Sequence, residues 1–150
     1  MPRLRACPWL AVAALLVGCA SSSDRSAATI RVQTADGRVA VQVRVADTDS
    51  ERRRGLAGVQ HLSRNSGMAF VFARETRPTF WMKDVHIPLS IAFWRRDGRI
   101  VAIRDMPLCR AGLCPRYVAP VPIVGALEVN RGFFRDEGIE VGDRVELHVG

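Results

Sequence analysis

The sequence predicts a mainly β domain: an antiparallel β-sandwich or jelly-roll-like arrangement, or a small barrel, carrying one or two short helices. Three observations predict it. Apolar and polar residues alternate almost strictly from Ile30 to Val45, the period of strands with one buried face. Asp-Gly pairs at 36–37 and 97–98 interrupt such runs, where a hairpin needs residues that tolerate positive φ. Strand-like segments then outnumber helical ones along the rest of the chain, with turn residues at short intervals.

In order, Ile30 and Val32 precede the Asp36-Gly37 turn, and Val39, Val41, Val43 and Val45 share one face beyond it. This is a hairpin with one buried side. Thr48 with Glu51 is a capping box and predicts a short helix ending near Gly55 or Gly58. Gly67 to Phe72 is an apolar strand, and Thr79 to Val85 reads as another. Ile87, Leu89, Ile91 and Phe93 form a core stripe. A type I′ turn at Asp97-Gly98 would set Arg96 opposite Arg99, Trp94 opposite Val101 and Ala92 opposite Ile103. Leu127 and Val129 alternate with Glu128 and Asn130, and a last strand follows Gly142-Asp143. No internal repeat and no second domain is visible.

The first residues do not belong to this domain. Arg3 and Arg5 precede an apolar run that ends at Gly18, the anatomy of a secretory signal too short to span a bilayer as a helix. Leu16-Val17-Gly18-Cys19 resembles the bacterial lipobox, which implies cleavage before Cys19 and lipidation of its thiol. The expected organisation is a signal peptide over 1–18, a flexible Ser-rich tether over 19–28, and one β-rich domain over 29–150. The expected location is the cell envelope, lipid-anchored, on the periplasmic face of the outer membrane.

Cysteine usage agrees with export. Cys7 leaves with the signal and Cys19 is consumed by lipid, so Cys109 and Cys114 remain, flanking Gly112. A pair this close in an oxidising compartment reads as a small-loop disulfide. No further Cys or nearby His completes a zinc site, and no metal or cofactor is expected. Loss of Arg3 and Arg5 lowers the formal charge from +7 to +5. The arginines are scattered, and the dense run Arg52-Arg53-Arg54 reads as the solvated face of a helix. Nucleic acid is not an expected partner. Those expected are the membrane, through the N-terminal lipid, and a small-molecule, glycan or envelope-protein ligand.

Five strings stand in order: Arg54-Gly55-Leu56; Gly67 to Phe72; Phe80-Trp81-Met82-Lys83-Asp84; Ile87-Pro88-Leu89; and Leu127-Glu128-Val129-Asn130. They resemble the family called domain of unknown function 192, over roughly Val39 to Val149. The resemblance implies a mainly β fold with jelly-roll-like packing and supplies no reaction. Three positions depart from the family pattern: Ala57 for the usual Met, Asp84 for Asn, and Ser90 for Asp. A carboxylate needed at position 90 would be absent here unless Asp84 replaced it.

The candidate site lies in the third string. Lys83 is the only lysine among 22 basic residues, and an ammonium differs from guanidinium in that it can lose its proton on burial. On a strand, Trp81, Lys83 and Val85 would point one way and Phe80, Met82, Asp84 and His86 the other. Trp81 would then stand beside Lys83, and Asp84 beside His86, a general-base pairing. Glu128 and Asn130 would face away from the apolar side, and Arg54 could bridge to Glu128. The bland reading has Lys83 snorkelling over an aromatic ring in an ordinary core edge. These residues point to a non-catalytic ligand- or partner-binding module with a cleft near Trp81, Lys83, Glu128 and Asn130. The alternative is an envelope hydrolase or transferase using Lys83 or the Asp84/His86 pair.

Overall fold

The alternating N-terminal segment pairs with itself and with the end of the chain. β1 (Ala27–Thr34) and β2 (Gly37–Ala46) form the predicted hairpin, with Ile30 opposite Val41 and Val32 opposite Val39. The computed structural model describes residues 27–149. The signal, Cys19 and most of the tether therefore lie outside the described residues. Ala27 and Ala28, assigned to the tether, already belong to β1, and Ala28 is buried between Val43 and Val149.

Thr48 caps α1 (Asp49–Arg54) through the expected capping box: its hydroxyl accepts from the Glu51 N–H, and Glu51 accepts from the Thr48 N–H. Then follow β3 (Ser66–Thr76), β4 (Thr79–Phe80), β5 (Leu89–Trp94), β6 (Ile100–Met106), β7 (Tyr117–Val118), β8 (Ile123–Asn130), α2 (Phe133–Asp136) and β9 (Arg144–Val149). Seven strands make one sheet in the order β6-β5-β8-β3-β2-β1-β9. The pairing is antiparallel except between β2 and β3, which run parallel. A parallel pair needs a long crossover, and the stretch holding α1 supplies it. The sheet curls until its edge strands meet at one end, where Ile100 N–H donates to Asp143 O and Val145 N–H to Gly98 O. The protein is mainly β, a curled half-barrel with two short helices.

Apolar side chains cover both faces of the central strands. Ile30, Val32, Val41, Leu127 and Val129 enclose one core with Phe133 and Phe134. Leu89, Ile91 and Phe93, with no exposed surface, face a second core with Phe70, Phe80 and Met106. The predicted stripe on β5 is thus real, with Ile87 partly buried at its margin.

The β5–β6 turn differs from expectation. Ala92 does face Ile103, but Trp94 pairs with Ile100 across a register shift, and Arg96 does not face Arg99. Arg95 and Arg99 close a loop of Arg96, Asp97 and Gly98, with Gly98 at φ 80. Asp97 accepts the Arg99 N–H, a side-chain bond that favours this wider turn over the two-residue type. Cys109 and Cys114 are disulfide-bonded. Closing so short a loop contributes about 2 kcal/mol on chain-entropy grounds, and it constrains the run that leads into β7.

Candidate functional site

The Arg54-Gly55-Leu56 string makes one wall of a cleft. α1 ends at Gly55, whose φ of 50 and ψ of −135 favour glycine, and the chain turns there so that Leu56 is buried at 1 % exposure. A Cβ on Gly55 would sit against the Phe70 ring. Arg52 ties this wall to β3. Its guanidinium donates to Asp47 O (2.6 Å) and Val71 O (2.7 Å), pairs with Asp49, and lies over the Phe72 ring at 5.2 Å. That charge is committed to structure.

The opposite wall is the predicted strand from Thr79, and it is mostly not a strand. Pairing stops at Phe80, and Lys83-Asp84 form a turn closed by Val85 N–H to Met82 O. Asp84 sits at φ 59 and its carbonyl accepts from Gly58 N–H at 2.9 Å, docking the turn on the helix exit. Asp and Asn are the non-glycine residues most at ease in this left-handed region. The departure from Asn at position 84 therefore keeps the backbone requirement. Asp84→Asn should leave thermal stability within about 0.5 kcal/mol. Asp84→Val should cost about 1–2 kcal/mol; equal melting curves for the two variants would refute the assignment.

The turn undoes the alternation expected for this segment. Phe80 and Met82 are buried, whereas Asp84 and His86 are exposed, and no hydrogen bond or ion pair joins Asp84 to His86. Trp81 is 46 % exposed, and its cationic neighbour is Arg116, 4.9 Å from the ring, rather than Lys83. Phe80 anchors the wall by packing edge-on to Phe70 (5.1 Å) and tilted against Phe93 (5.6 Å).

Between the walls lies a cavity of about 250 Å³. Four of the candidates reach it: Arg54, Trp81, Lys83 and Glu128. Asp84, His86 and Asn130 do not line it. Asn130 instead donates its side-chain amide to Leu62 O and Ser63 O. Leu56, Phe70, Phe72, Phe80 and Val85 make the cleft largely apolar, and Arg53 joins its mouth. Arg53 was legible only as part of a solvated run. It is indeed exposed, but α1 sets that run beside the cavity.

Glu128 does not face away from the apolar side, as alternation suggested. β8 is central and covered on both faces, so Glu128 lies against Met68 and Ile91 at 5 % exposure. Among the described residues no donor reaches its carboxyl, and no ion pair links it to Arg54. Burial pushes its pKa up to about 8, with no neighbouring charge to offset the desolvation. Arg53, Arg54 and Lys83 likewise have no carboxylate within ion-pairing distance among the described residues, so the mouth carries uncompensated positive charge above a neutral acid.

Ser90 lies on the other face of the sheet, sharing it with Ala92 and Trp94. Its hydroxyl donates to Asp105 Oδ1 (2.5 Å) and accepts from Gly132 N–H (2.9 Å), while Arg131 pairs with Asp105 at 3.5 Å. Ser90 and Asp105 together fasten β5 to the β8–α2 corner. Loss of the carboxylate at position 90 therefore leaves the cleft untouched.

This fold is that of an uncharacterised class. Residues 30–147 match the family DUF192, described as Uncharacterized ACR, and the chain belongs to it. A protein of unknown function from Novosphingobium aromaticivorans is similar in structure, with a TM-score of 0.73 and 30% identity over 79% of this chain and 83% of that one. A Sinorhizobium meliloti protein, named as a candidate transcription regulator, gives 0.73 and 30% over 81% and 94%. No curated protein matches the sequence.

Proposed function

We propose that this chain is an exported, lipid-anchored envelope protein that binds a small ligand, without catalysis, in the cleft between α1 and the 79–85 segment. The observation that carries the binding reading is an apolar cavity with unpaired cations at its mouth. Arg53, Arg54 and Lys83 suit an anionic group, because charge-assisted hydrogen bonds at a partly desolvated mouth exceed those in open water. The apolar walls suit a hydrocarbon body, and a cavity of about 250 Å³ accepts a small molecule or one unit of a longer chain such as a glycan. Exposed Trp81 adds an aromatic face at the rim.

Trp81 also reports on occupancy in the exported form, since Trp9 leaves with the signal and Trp94 is buried on the other side of the sheet. Titration with short-chain organic anions should change Trp81 fluorescence saturably. Removing the charges together (Arg53→Gln, Arg54→Gln, Lys83→Met) should weaken binding at least about tenfold, as expected for more than 1.4 kcal/mol of lost interaction. Unchanged affinity in the triple variant, with folding intact, would sink the reading.

The anchor is supported by the lipobox-like run ending at Cys19. Cys19→Ser should abolish lipidation and cleavage before residue 19 and release the chain from membranes. A Ser variant still cut and still membrane-bound would refute it.

A further inference from the structure

We infer that the ligand carries a neutral primary amide besides its anionic group, with the amide paired to the Glu128 carboxyl at the cleft floor and the anion held by Arg53, Arg54 and Lys83. The inference rests on the binding reading above and names the chemistry of what is bound.

Glu128 is 95 % buried by the complement of its 5 % exposure, yet the protein gives its carboxyl no hydrogen-bond partner. Among the described residues no side-chain polar atom is both sealed from solvent and unpaired, so the remaining exposure of Glu128 opens on the cavity it lines. Only solvent in the cavity can hydrogen-bond that carboxyl, so a ligand that displaces the solvent must supply a partner of its own or lose affinity. The groups facing it are mostly uncharged: Phe70 and Phe72 from β3, Ile91 from β5, and Phe80 and Val85 from the opposite wall. The charged ones are Asp49 and Arg52, which pair with each other, and Arg53, Arg54 and Lys83 toward the mouth.

That setting selects among partners. A carboxyl kept protonated presents one donor and one acceptor side by side. A primary amide presents the complementary pair, carbonyl acceptor and N–H donor on one edge, and crosses an apolar wall without burying a charge; a secondary amide, being trans, holds the two on opposite sides. An ammonium would have to pass three cations and then desolvate against a single carboxylate, a pairing whose desolvation penalty can exceed its Coulombic gain. A second carboxylate at the floor would find no cation there. A plain alkyl tail would leave Glu128 unpaired.

The test titrates the intact chain with adipamate and its shorter homologue glutaramate, each a primary amide at one end and a carboxylate at the other, against ε-aminohexanoate and hexanoate, by calorimetry and Trp81 fluorescence. One of the two amide acids should bind at least about tenfold tighter than hexanoate. Glu128→Gln should keep that affinity within about threefold, because a carboxamide offers the same donor and acceptor, whereas Glu128→Met should lose the tenfold advantage. Raising the pH above about 8 removes the donor that the amide carbonyl needs, and should weaken binding of the amide acids to the native chain by up to about tenfold per pH unit and leave Glu128→Gln flat. Equal affinity for hexanoate and the amide acids overturns the amide while leaving the anion-binding reading intact. Tighter binding of ε-aminohexanoate, lost in Glu128→Gln, overturns it in favour of a cationic group. Failure of every anion to bind overturns both.

Discussion

Glu128→Gln should stabilise the fold by about 3 kcal/mol at pH 7, because the pH then stands roughly 2.5 units above the ordinary value of 4.5 and still below the shifted one of about 8, at about 1.4 kcal/mol per unit. A carboxyl whose folded-state pKa lies above its unfolded one holds its proton more tightly in the native state. Native stability from this group is therefore fully present below about pH 4.5, falls as the pH rises, and levels off above about 8. Glutamine keeps the shape and never ionises, so the variant lacks that decline. Urea denaturation should show the two proteins equal near pH 4.5 and diverging steadily to about pH 8. Parallel curves across that range would show that Glu128 is solvated or paired in solution. A gain in stability on removing the acid also identifies Glu128 as a group retained for something other than folding, since functional sites often hold residues at such a cost.

Phe80→Ala should destabilise the protein by about 3 kcal/mol, the lower end for truncating a buried Phe. The low end applies because the ring, at 8 % exposure, borders the cleft, and solvent can occupy part of the space left. The loss should be uneven. Phe80 holds the 79–88 wall against Phe70 and Phe93, whereas β5 and β8 keep their own pairing. Hydrogen exchange should speed up in residues 79–88 well before β5 and β8, in the manner of a locally opening unit. Uniform acceleration across the sheet would mean that this wall is no separate unit, and an unchanged rate there would mean that Phe80 does not anchor it. Because Trp81 and Lys83 ride on that wall, ligand affinity should fall with its order.

The same stretch shows where residue patterns stop being informative. Alternation from Thr79 to Val85 matches a strand by count, but a strand also needs a neighbour for its backbone groups. β7 offers pairing only to Thr79 and Phe80, and beyond it Gly58 takes the Asp84 carbonyl instead. Which backbone stands alongside is not written in the local sequence. Glu128 misled for a related reason. A polar residue between Leu127 and Val129 signals a solvated face only on a sheet covered on one side, and β8 lies between β5 and β3 under cover on both.

Local chemistry, by contrast, needed no neighbours to be read. The Thr48–Glu51 capping box, the β1–β2 hairpin, the β5 core stripe, the Cys109–Cys114 bridge and the mainly β class all follow from period, turn residues and short spacing. Each depends on groups within a few residues or on one apolar face. The five family strings likewise announced that their members mattered together. Only the tertiary structure decided which of them meet: Arg54 and Glu128, with Trp81 and Lys83 but without Asp84 or Asn130. Curling a seven-stranded sheet brings residues more than seventy positions apart to one cavity, and burial there, not sequence neighbours, keeps the Glu128 carboxyl neutral.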